Sequence, residues 1–188
     1  MINQLKYQNQ YRIKSSRLKS WDYRQNGAYF ITICTKDKFQ YFGKITENEM
    51  QLSHIGILAD VLWYEIKSHF SNIEMGDFVV MPNHVHGILL LNKVDNDLNT
   101  KSISEKFLKN HQQIDMAFIS PKKGSISTIV RSYKAAVSKH AHRLGFDFSW
   151  QSRFYDHIIR NQESYNQIAD YIKTNPQKWE EDKFYVFR

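Results

Sequence analysis

The sequence is poor in the residues that build disulfide frameworks and membrane spans. Its 188 residues include one cysteine, three prolines and seven glycines. A single cysteine, Cys34, cannot form an internal disulfide, and its apolar neighbours favour a place in the core. No apolar run approaches the roughly 18 to 20 residues of a membrane span, and the polar first residues do not resemble a signal peptide. We therefore expect a cytoplasmic protein that does not enter a membrane.

Acidic residues are absent from two long stretches of the chain. Residues 1–21 contain five cations and no acid, and residues 122–143 contain six cations and no acid. The formal net charge is +7. One basic run is often only a solvated face, but two such runs are typical of a protein that binds a polyanion. The charge pattern therefore favours nucleic acid as the partner.

The length and composition suit a single domain over residues 1–188. With 41% hydrophobic and 14% aromatic residues, the chain can build one sizeable core. Residues 1–24 form a predicted basic arm. Residues 92–124 are dominated by polar residues and form a predicted mobile insertion.

The spacing of apolar residues predicts four strands, three helices and one further short element, a hairpin or an edge strand. Their order is strand, helix, strand, strand, helix, strand, helix. This order is typical of a ferredoxin-like α+β fold, so we expect an antiparallel sheet of four to five strands with helices on one face. The predicted ranges are 28–35, 74–80, 85–91 and 154–159 for the strands, 55–70, 125–145 and 162–174 for the helices, and 41–52 for the further short element.

Two histidines interrupt an apolar stretch at residues 78–91. Side chains alternate in an extended chain, so His84 and His86 leave the same face of a strand and Val85 points into the core. Two imidazoles form half of a metal site, although paired histidines are also common as ordinary strand residues. The pattern alone leaves both interpretations open.

A tyrosine and an asparagine lie four residues apart near the end of the third predicted helix. Tyr171 and Asn175 therefore project together if the last turn persists to Pro176. A phenol with a pKa of about 10 is a weak nucleophile, but a divalent ion that polarises a phosphate makes its attack feasible. Two imidazoles and an amide oxygen suit Mg²⁺ or Mn²⁺ better than a structural zinc. A tyrosine that only packs its ring on the helix is the alternative.

Two segments carry a resemblance to a known family: residues 81–88, with the sequence MPNHVHGI, and residues 170–176, with the sequence DYIKTNP. Together they resemble the HUH tyrosine transposases, in particular the REP-associated tyrosine transposases of bacteria. Similar segments at 22–23, 27–34, 150–151 and 154–160, with Trp179, extend the resemblance over most of the chain, apart from the insertion and the extreme ends. Each motif is short, but their order and spacing are specific.

The resemblance implies a ferredoxin-like enzyme that cleaves and rejoins single-stranded or hairpin DNA with a divalent metal, Mg²⁺ or Mn²⁺. His84 and His86 would bind the metal, and Asn175 would be the third ligand, where the insertion-sequence branch of the family usually has glutamine. Tyr171 would attack a DNA phosphate, form a 5′-phosphotyrosine link and release a 3′-hydroxyl. The resemblance leaves open whether the protein is a monomer or a homodimer, and whether Tyr171 acts in cis or in trans.

Several further residues are candidates for DNA contacts. We expect Arg131 and Lys134 of the second helix to contact phosphates without reading sequence. The same role is expected of Arg17 and Lys19 in the basic arm. For His157 and Arg160, DNA or active-site contact and structural pairing at the surface are both open. Three other tyrosines are expected to be structural: Tyr133, Tyr155 and Tyr165.

Two alternative functions remain open from the sequence. One is a domesticated module that keeps the fold and binds nucleic acid without cutting it. The other is a metal hydrolase that uses a water nucleophile, which would cleave DNA without a protein-linked product.

Overall fold

The structure is a computed structural model that describes residues 21–92 and 124–186. Most of the predicted basic arm, with Arg17 and Lys19, and residues 93–123 of the predicted insertion lie outside these ranges. In the described part of the chain, no helix is both long enough and apolar enough to span a membrane.

The chain forms six strands and four α-helices within the described ranges. Four strands build the main antiparallel sheet, in the order β4-β5-β1-β6, and β2 and β3 form a separate hairpin. The strands are β1 (Gly27–Cys34), β2 (Gly43–Thr46), β3 (Glu49–Leu52), β4 (Ile73–Met81), β5 (His84–Leu91) and β6 (Tyr155–Ile159). The helices are α1 (His54–Tyr64), α2 (Ile66–His69), α3 (Ile126–Arg143) and α4 (Gln162–Thr174), with 3-10 turns at Lys36–Lys38 and Pro176–Glu181.

The main sheet separates two apolar clusters. On one face, alternate residues of β1 such as Tyr29 and Ile31 pack against α1 and α3 in the larger cluster. On the opposite face, Phe30 packs with Ile88 of β5 and Ile172 of α4. Both faces of the central strands are therefore apolar, and each needs a helical cover.

The crossover helices cover the face of the sheet that the sequence predicts, and α4 does not. The crossover helices α1 and α3 share one face of the sheet, as expected for a ferredoxin-like chain. The C-terminal helix α4 covers the other face, which the prediction of helices on one face did not include. The second apolar face of β1 and β5 explains the difference, because it would be exposed without α4.

Two local predictions need correction. The predicted helix at 55–70 is divided at Glu65 into α1 and α2, and Trp63 and Ile66 on either side of the break are both buried. Cys34 is half-buried and does not lie in the core. It is the last residue of β1 and pairs in register with His84, so its side chain leaves the same face of the sheet as the histidines. Burial nevertheless raises the pKa of its thiol to about 11.

Strand β5 is held close to α1 because it has a glycine at the point of contact. A Cβ atom at Gly87 would lie 2.2 Å from Cζ2 of Trp63, which is far inside van der Waals contact. The indole thus lies directly on the backbone of β5, one residue after His86. This contact supports the strand from the face opposite to the two histidines.

Candidate active site

The two histidines begin strand β5 on the face that α4 covers. Both side chains are fully buried. Their ring centroids are 4.4 Å apart. Strand alternation places them together, as the sequence predicts, and places Val85 in the cluster on the opposite face.

The tautomer of His84 follows from its neighbour in the β4–β5 turn. The amide nitrogen of Asn83 donates to the carbonyl oxygens of Lys38 (3.2 Å) and Phe184 (2.8 Å). Its Oδ1 therefore faces His84 and can only accept, so Nδ1 of His84, at 2.8 Å, carries the proton. Nε2 of His84 is left with its lone pair, the form that binds a metal.

His86 is held by hydrogen bonds to two hydroxyl groups and by ring packing. Its Nδ1 lies 2.9 Å from Oγ1 of Thr32, the residue opposite it on β1. Its Nε2 lies 3.1 Å from the hydroxyl of Tyr171. The ring of Phe30 stacks on the imidazole at a centroid distance of 5.1 Å. These contacts fix the orientation of the ring and direct Nε2 toward α4.

Helix α4 brings Tyr171 and Asn175 to the histidines. Ala169 and Ile172 are buried against the sheet, which leaves Tyr171 beside the imidazoles with 38% of its surface exposed. Asn175 is buried at the C-terminal cap of α4, directly before Pro176 begins the 3-10 turn. The two residues project to one place, as their spacing of four predicts.

Asp182 completes this cluster, although no sequence pattern indicated it. Its Oδ2 accepts hydrogen bonds from the hydroxyl of Tyr171 (3.0 Å) and from Nδ2 of Asn175 (3.0 Å). Asp182, His84 and His86 each offer a ligand atom within 4.8 Å of the others. In the sequence Asp182 ends the acidic run 180–182, and no spacing relates it to Tyr171, because the 3-10 turn after α4 decides its position.

Burial and charge set the protonation of the cluster. Burial lowers the pKa of His84 well below its ordinary value of 6.5, and the neighbouring His86 adds to the effect. Burial likewise lowers the pKa of His86, to about 3. Burial and the negative charge of Asp182 raise the pKa of Tyr171 to about 12. At neutral pH both imidazoles are neutral and the tyrosine is protonated.

The donor set fits a divalent metal ion. Nε2 of His84 and Oδ1 of Asn175 are buried and have no hydrogen-bond partner among the described residues. Buried polar atoms normally have partners, so these two can accept a further ligand. Two neutral imidazole nitrogens with oxygens from Asp182 and Asn175 form a mixed set that suits Mn²⁺ or Mg²⁺.

Among the described residues, the other predicted site residues form no contact with the histidines that is described above. Arg131 is exposed on α3, which covers the opposite face of the sheet. Lys134 is half-buried, and its ammonium donates to the carbonyl oxygens of Gln151 (2.7 Å) and Arg153 (3.0 Å). His157 on β6 is exposed, and so is Arg160, directly after β6.

Tyr133 is part of the core. It is buried on α3, and its hydroxyl donates to the carbonyl oxygen of Ala59 at 2.8 Å. Burial raises its pKa well above 10. This environment suits a structural tyrosine and not a nucleophile.

Comparison with known proteins identifies a close relative. No protein-family model matches the chain. An uncharacterized protein of Haemophilus influenzae is 39% identical over 177 residues, which are 92% of this chain and 93% of that protein. The chain belongs to the family of this Haemophilus protein. It is also similar to the REP-associated tyrosine transposase of Escherichia coli, with 26% identity over 105 residues, which are 56% of this chain and 45% of the other protein.

A solved structure shares the fold. It is a REP-associated tyrosine transposase bound to a REP hairpin, with a TM-score of 0.56 and 22% identity over 88% of this chain and 74% of that chain. The predicted α+β fold with an antiparallel sheet is confirmed by this similarity.

Proposed function

We propose that the protein is a metal-dependent DNA transposase or endonuclease that cleaves and rejoins single-stranded or hairpin DNA through Tyr171. One observation carries the proposal: the Tyr171 hydroxyl lies 3.1 Å from Nε2 of His86 and 3.0 Å from Oδ2 of Asp182. A nucleophile candidate thus adjoins a buried set of metal donors. The similarity to REP-associated tyrosine transposases supports the same function.

His84 and His86 would hold the ion through Nε2, with oxygen ligands from Asp182 and Asn175. A bound Mn²⁺ or Mg²⁺ supplies a Lewis acid that polarises the scissile phosphate. The protein prepares the site by keeping both imidazoles neutral, because burial lowers the pKa of each. Asn83 and Thr32 orient the rings through the nitrogens that face away from the ion.

The proposed reaction exchanges one phosphodiester for another. The Tyr171 oxygen attacks a DNA phosphorus, the bond from phosphorus to the 3′-oxygen breaks, and a 5′-phosphotyrosine forms. The hydroxyl proton passes to Asp182, which already accepts a hydrogen bond from it. The departing 3′-oxygen takes up a proton and becomes a 3′-hydroxyl. The reverse attack of a 3′-hydroxyl rejoins the strand, so no nucleotide cofactor is needed.

The arrangement supports action in cis. Tyr171 on α4 and the histidines on β5 meet within one chain, because α4 packs on Phe30 and Ile88 of the same sheet. A second subunit is not needed to bring the nucleophile to the metal donors.

A covalent-adduct assay tests this proposal. A REP-type hairpin oligonucleotide with single-stranded flanks, labelled at its 3′ end, is incubated with the protein and Mn²⁺ and analysed on denaturing gels. We expect a labelled protein adduct that Tyr171→Phe abolishes while DNA binding persists. Tyr165→Phe, on the same helix, is the matched control and should keep the adduct.

Other results would contradict the proposal in distinct ways. An adduct that persists in Tyr171→Phe would assign the nucleophile elsewhere. Cleavage without an adduct would indicate a water nucleophile. Binding without cleavage under every metal condition would indicate a domesticated binding module.

A further inference from the structure

A cavity of about 500 Å³ lies beside strand β6. In the described part of the chain β6 pairs only with β1, and four of its five residues line this cavity. The walls combine aromatic rings, an imidazole and a guanidinium. The residues that matter here are Tyr23, Tyr155, Asp156, His157, Arg160 and Asn161.

We propose that this cavity binds one unpaired nucleotide of the DNA strand that runs to Tyr171. The inference rests on the proposed function and adds a substrate requirement to it. The exposed ring of Tyr155 offers a stacking surface for a base, whatever its sequence. The guanidinium of Arg160 suits a phosphate. The volume lies within the range of small-ligand pockets, roughly 300 to 1,000 Å³.

The strand register connects the cavity to the histidines. Thr32 of β1 pairs with His86 on one side and with Tyr155 on the other. Paired residues in an antiparallel sheet leave the same face, so Tyr155 and His86 share one face, two strands apart. Two spacings of about 4.8 Å separate their backbones by roughly 10 Å. Stacked nucleotides rise about 3.4 Å each, so the cavity lies roughly three nucleotides or fewer from the scissile phosphate.

A lysine lies along the path between the two places. Nζ of Lys183 is 5.8 Å from the ring centroid of Tyr155 and 4.9 Å from that of Phe184. The Phe184 ring in turn lies 4.6 Å from the ring of His84. A strand that passed from the cavity to the histidines would therefore run beside this ammonium, which can bind an intervening phosphate.

An extended peptide could also pair with an open strand edge. The side chains favour a nucleotide instead. The cavity combines a stacking ring with a guanidinium, and one of its walls lies on the same face as the candidate metal donors. A peptide that paired with the edge would use the β6 backbone and would not depend on the Tyr155 ring.

Binding and crosslinking to a single strand of twelve thymidines test the proposal. EDTA is present so that no strand is cut, and the full-length protein is used. In fluorescence anisotropy, Tyr155→Ala should weaken binding of the single strand about tenfold, from the loss of one stacked base, and leave binding of a twelve-base-pair duplex unchanged. Arg160→Gln should lower the salt dependence of binding by the equivalent of about one phosphate. With 5-iodouracil in the strand, ultraviolet light should crosslink Tyr155 or Tyr23, identified by peptide mass spectrometry.

Matched controls separate this effect from damage to the fold. Tyr64→Ala removes a tyrosine that is 62% exposed on α1, and Lys67→Gln removes an exposed lysine of α2 that lies outside both basic runs. Both should leave single-strand binding unchanged. Thermal melting of all four variants shows whether each is folded.

The outcome does not depend on DNA cleavage. If Tyr155→Ala is folded and binds the single strand like the wild type, and the crosslinks lie outside the cavity, the nucleotide site is wrong. That result would stand even if Tyr171 cuts DNA. If the crosslink and the affinity loss occur but no covalent adduct ever forms, the nucleotide site holds and the proposed strand-transfer function fails.

Discussion

The hydroxyl of Tyr171 lies 3.1 Å from Nε2 of His86, the same nitrogen that would bind a metal ion. The hydroxyl proton of Tyr171 goes to Asp182, so this contact places a proton of Nε2 on the phenol oxygen, and Nε2 cannot keep that proton and bind an ion at once. Metal binding must therefore release Tyr171 from His86. The nucleophile and the metal compete for one atom in this structure.

Tyr171→Phe should therefore bind Mn²⁺ more tightly than the wild type. The variant loses the hydrogen bond that the hydroxyl donates to Asp182 and the contact between the phenol oxygen and Nε2 of His86, and the ion must displace both. One such bond contributes about 0.5 to 1.5 kcal/mol, so we expect roughly a 2- to 12-fold gain in affinity. Isothermal titration with Mn²⁺ measures it. A weaker affinity in this variant would show that the phenol itself helps to hold the ion.

Asp182→Asn should weaken Mn²⁺ binding and ease ionisation of Tyr171. Loss of an outer-shell partner typically lowers metal affinity roughly 10- to 100-fold, and loss of a carboxylate ligand should lower it at least as much. The negative charge of Asp182 helps to raise the pKa of Tyr171 to about 12, so the variant should have a lower tyrosine pKa. Titration of ¹³C-labelled tyrosine by NMR measures the tyrosine pKa, with Glu180→Gln as the control. Unchanged Mn²⁺ affinity in Asp182→Asn, with a loss in Asn175→Ala, would assign the oxygen ligand to Asn175 alone.

The buried histidines should make the metal-free protein sensitive to acid. The pKa of His86 falls from 6.5 unfolded to about 3 folded, so the unfolded chain binds more protons between these values. The free energy of unfolding should therefore decrease as pH falls below 6.5, by about 1.4 kcal/mol per pH unit from this residue. Urea unfolding in EDTA at pH 7, 6 and 5 measures the slope. His86→Gln should have a shallower slope, and an unchanged slope would show that other groups dominate.

Gly87→Ala should destabilise the protein and disturb β5 beside His86. The added methyl would lie 2.2 Å from Cζ2 of the buried Trp63, so the indole or the strand must move. Overpacking of this kind costs about 1 to 3 kcal/mol in the free energy of unfolding. Urea unfolding and near-ultraviolet circular dichroism of the tryptophan region measure the change. Gly145→Asn is the control, because nothing lies within 4 Å of that position and asparagine tolerates its φ of +84°. An equal loss in both variants would contradict the steric explanation.

Lys134 and Arg131 should differ in their effects on DNA binding. Lys134 donates to the carbonyl oxygens of Gln151 and Arg153, whereas Arg131 is exposed on the same helix. Lys134→Ala should therefore lower the melting temperature more than Arg131→Ala does. Arg131→Ala should reduce the salt slope of DNA binding by about one, as expected for a phosphate contact. Anisotropy over a salt series and thermal melting distinguish them. The reverse pattern would make Lys134 the phosphate contact.

Local periodicity made much of the fold and part of the site predictable. Alternation along β5 placed His84 and His86 on one face, and the spacing of four placed Tyr171 beside Asn175. These relations depend on backbone geometry within one element, which the sequence alone determines. The same periodicities identified the strands and crossover helices of the sheet, and the break at Glu65 was the main local error.

Only the tertiary structure decided which elements meet. The face of the sheet that α4 covers depends on which apolar surface remains after α1 and α3 have packed, and this is a property of the whole core. The positions of Asp182 beside Tyr171 and of Lys134 on two carbonyl groups depend on contacts between distant segments. Long-range contacts arise from burial and from hydrogen-bond satisfaction across the molecule. Residue spacing along the chain does not predict them. The sequence alone therefore indicated the two histidines and the tyrosine, and folding determined that they meet and that Asp182 joins them.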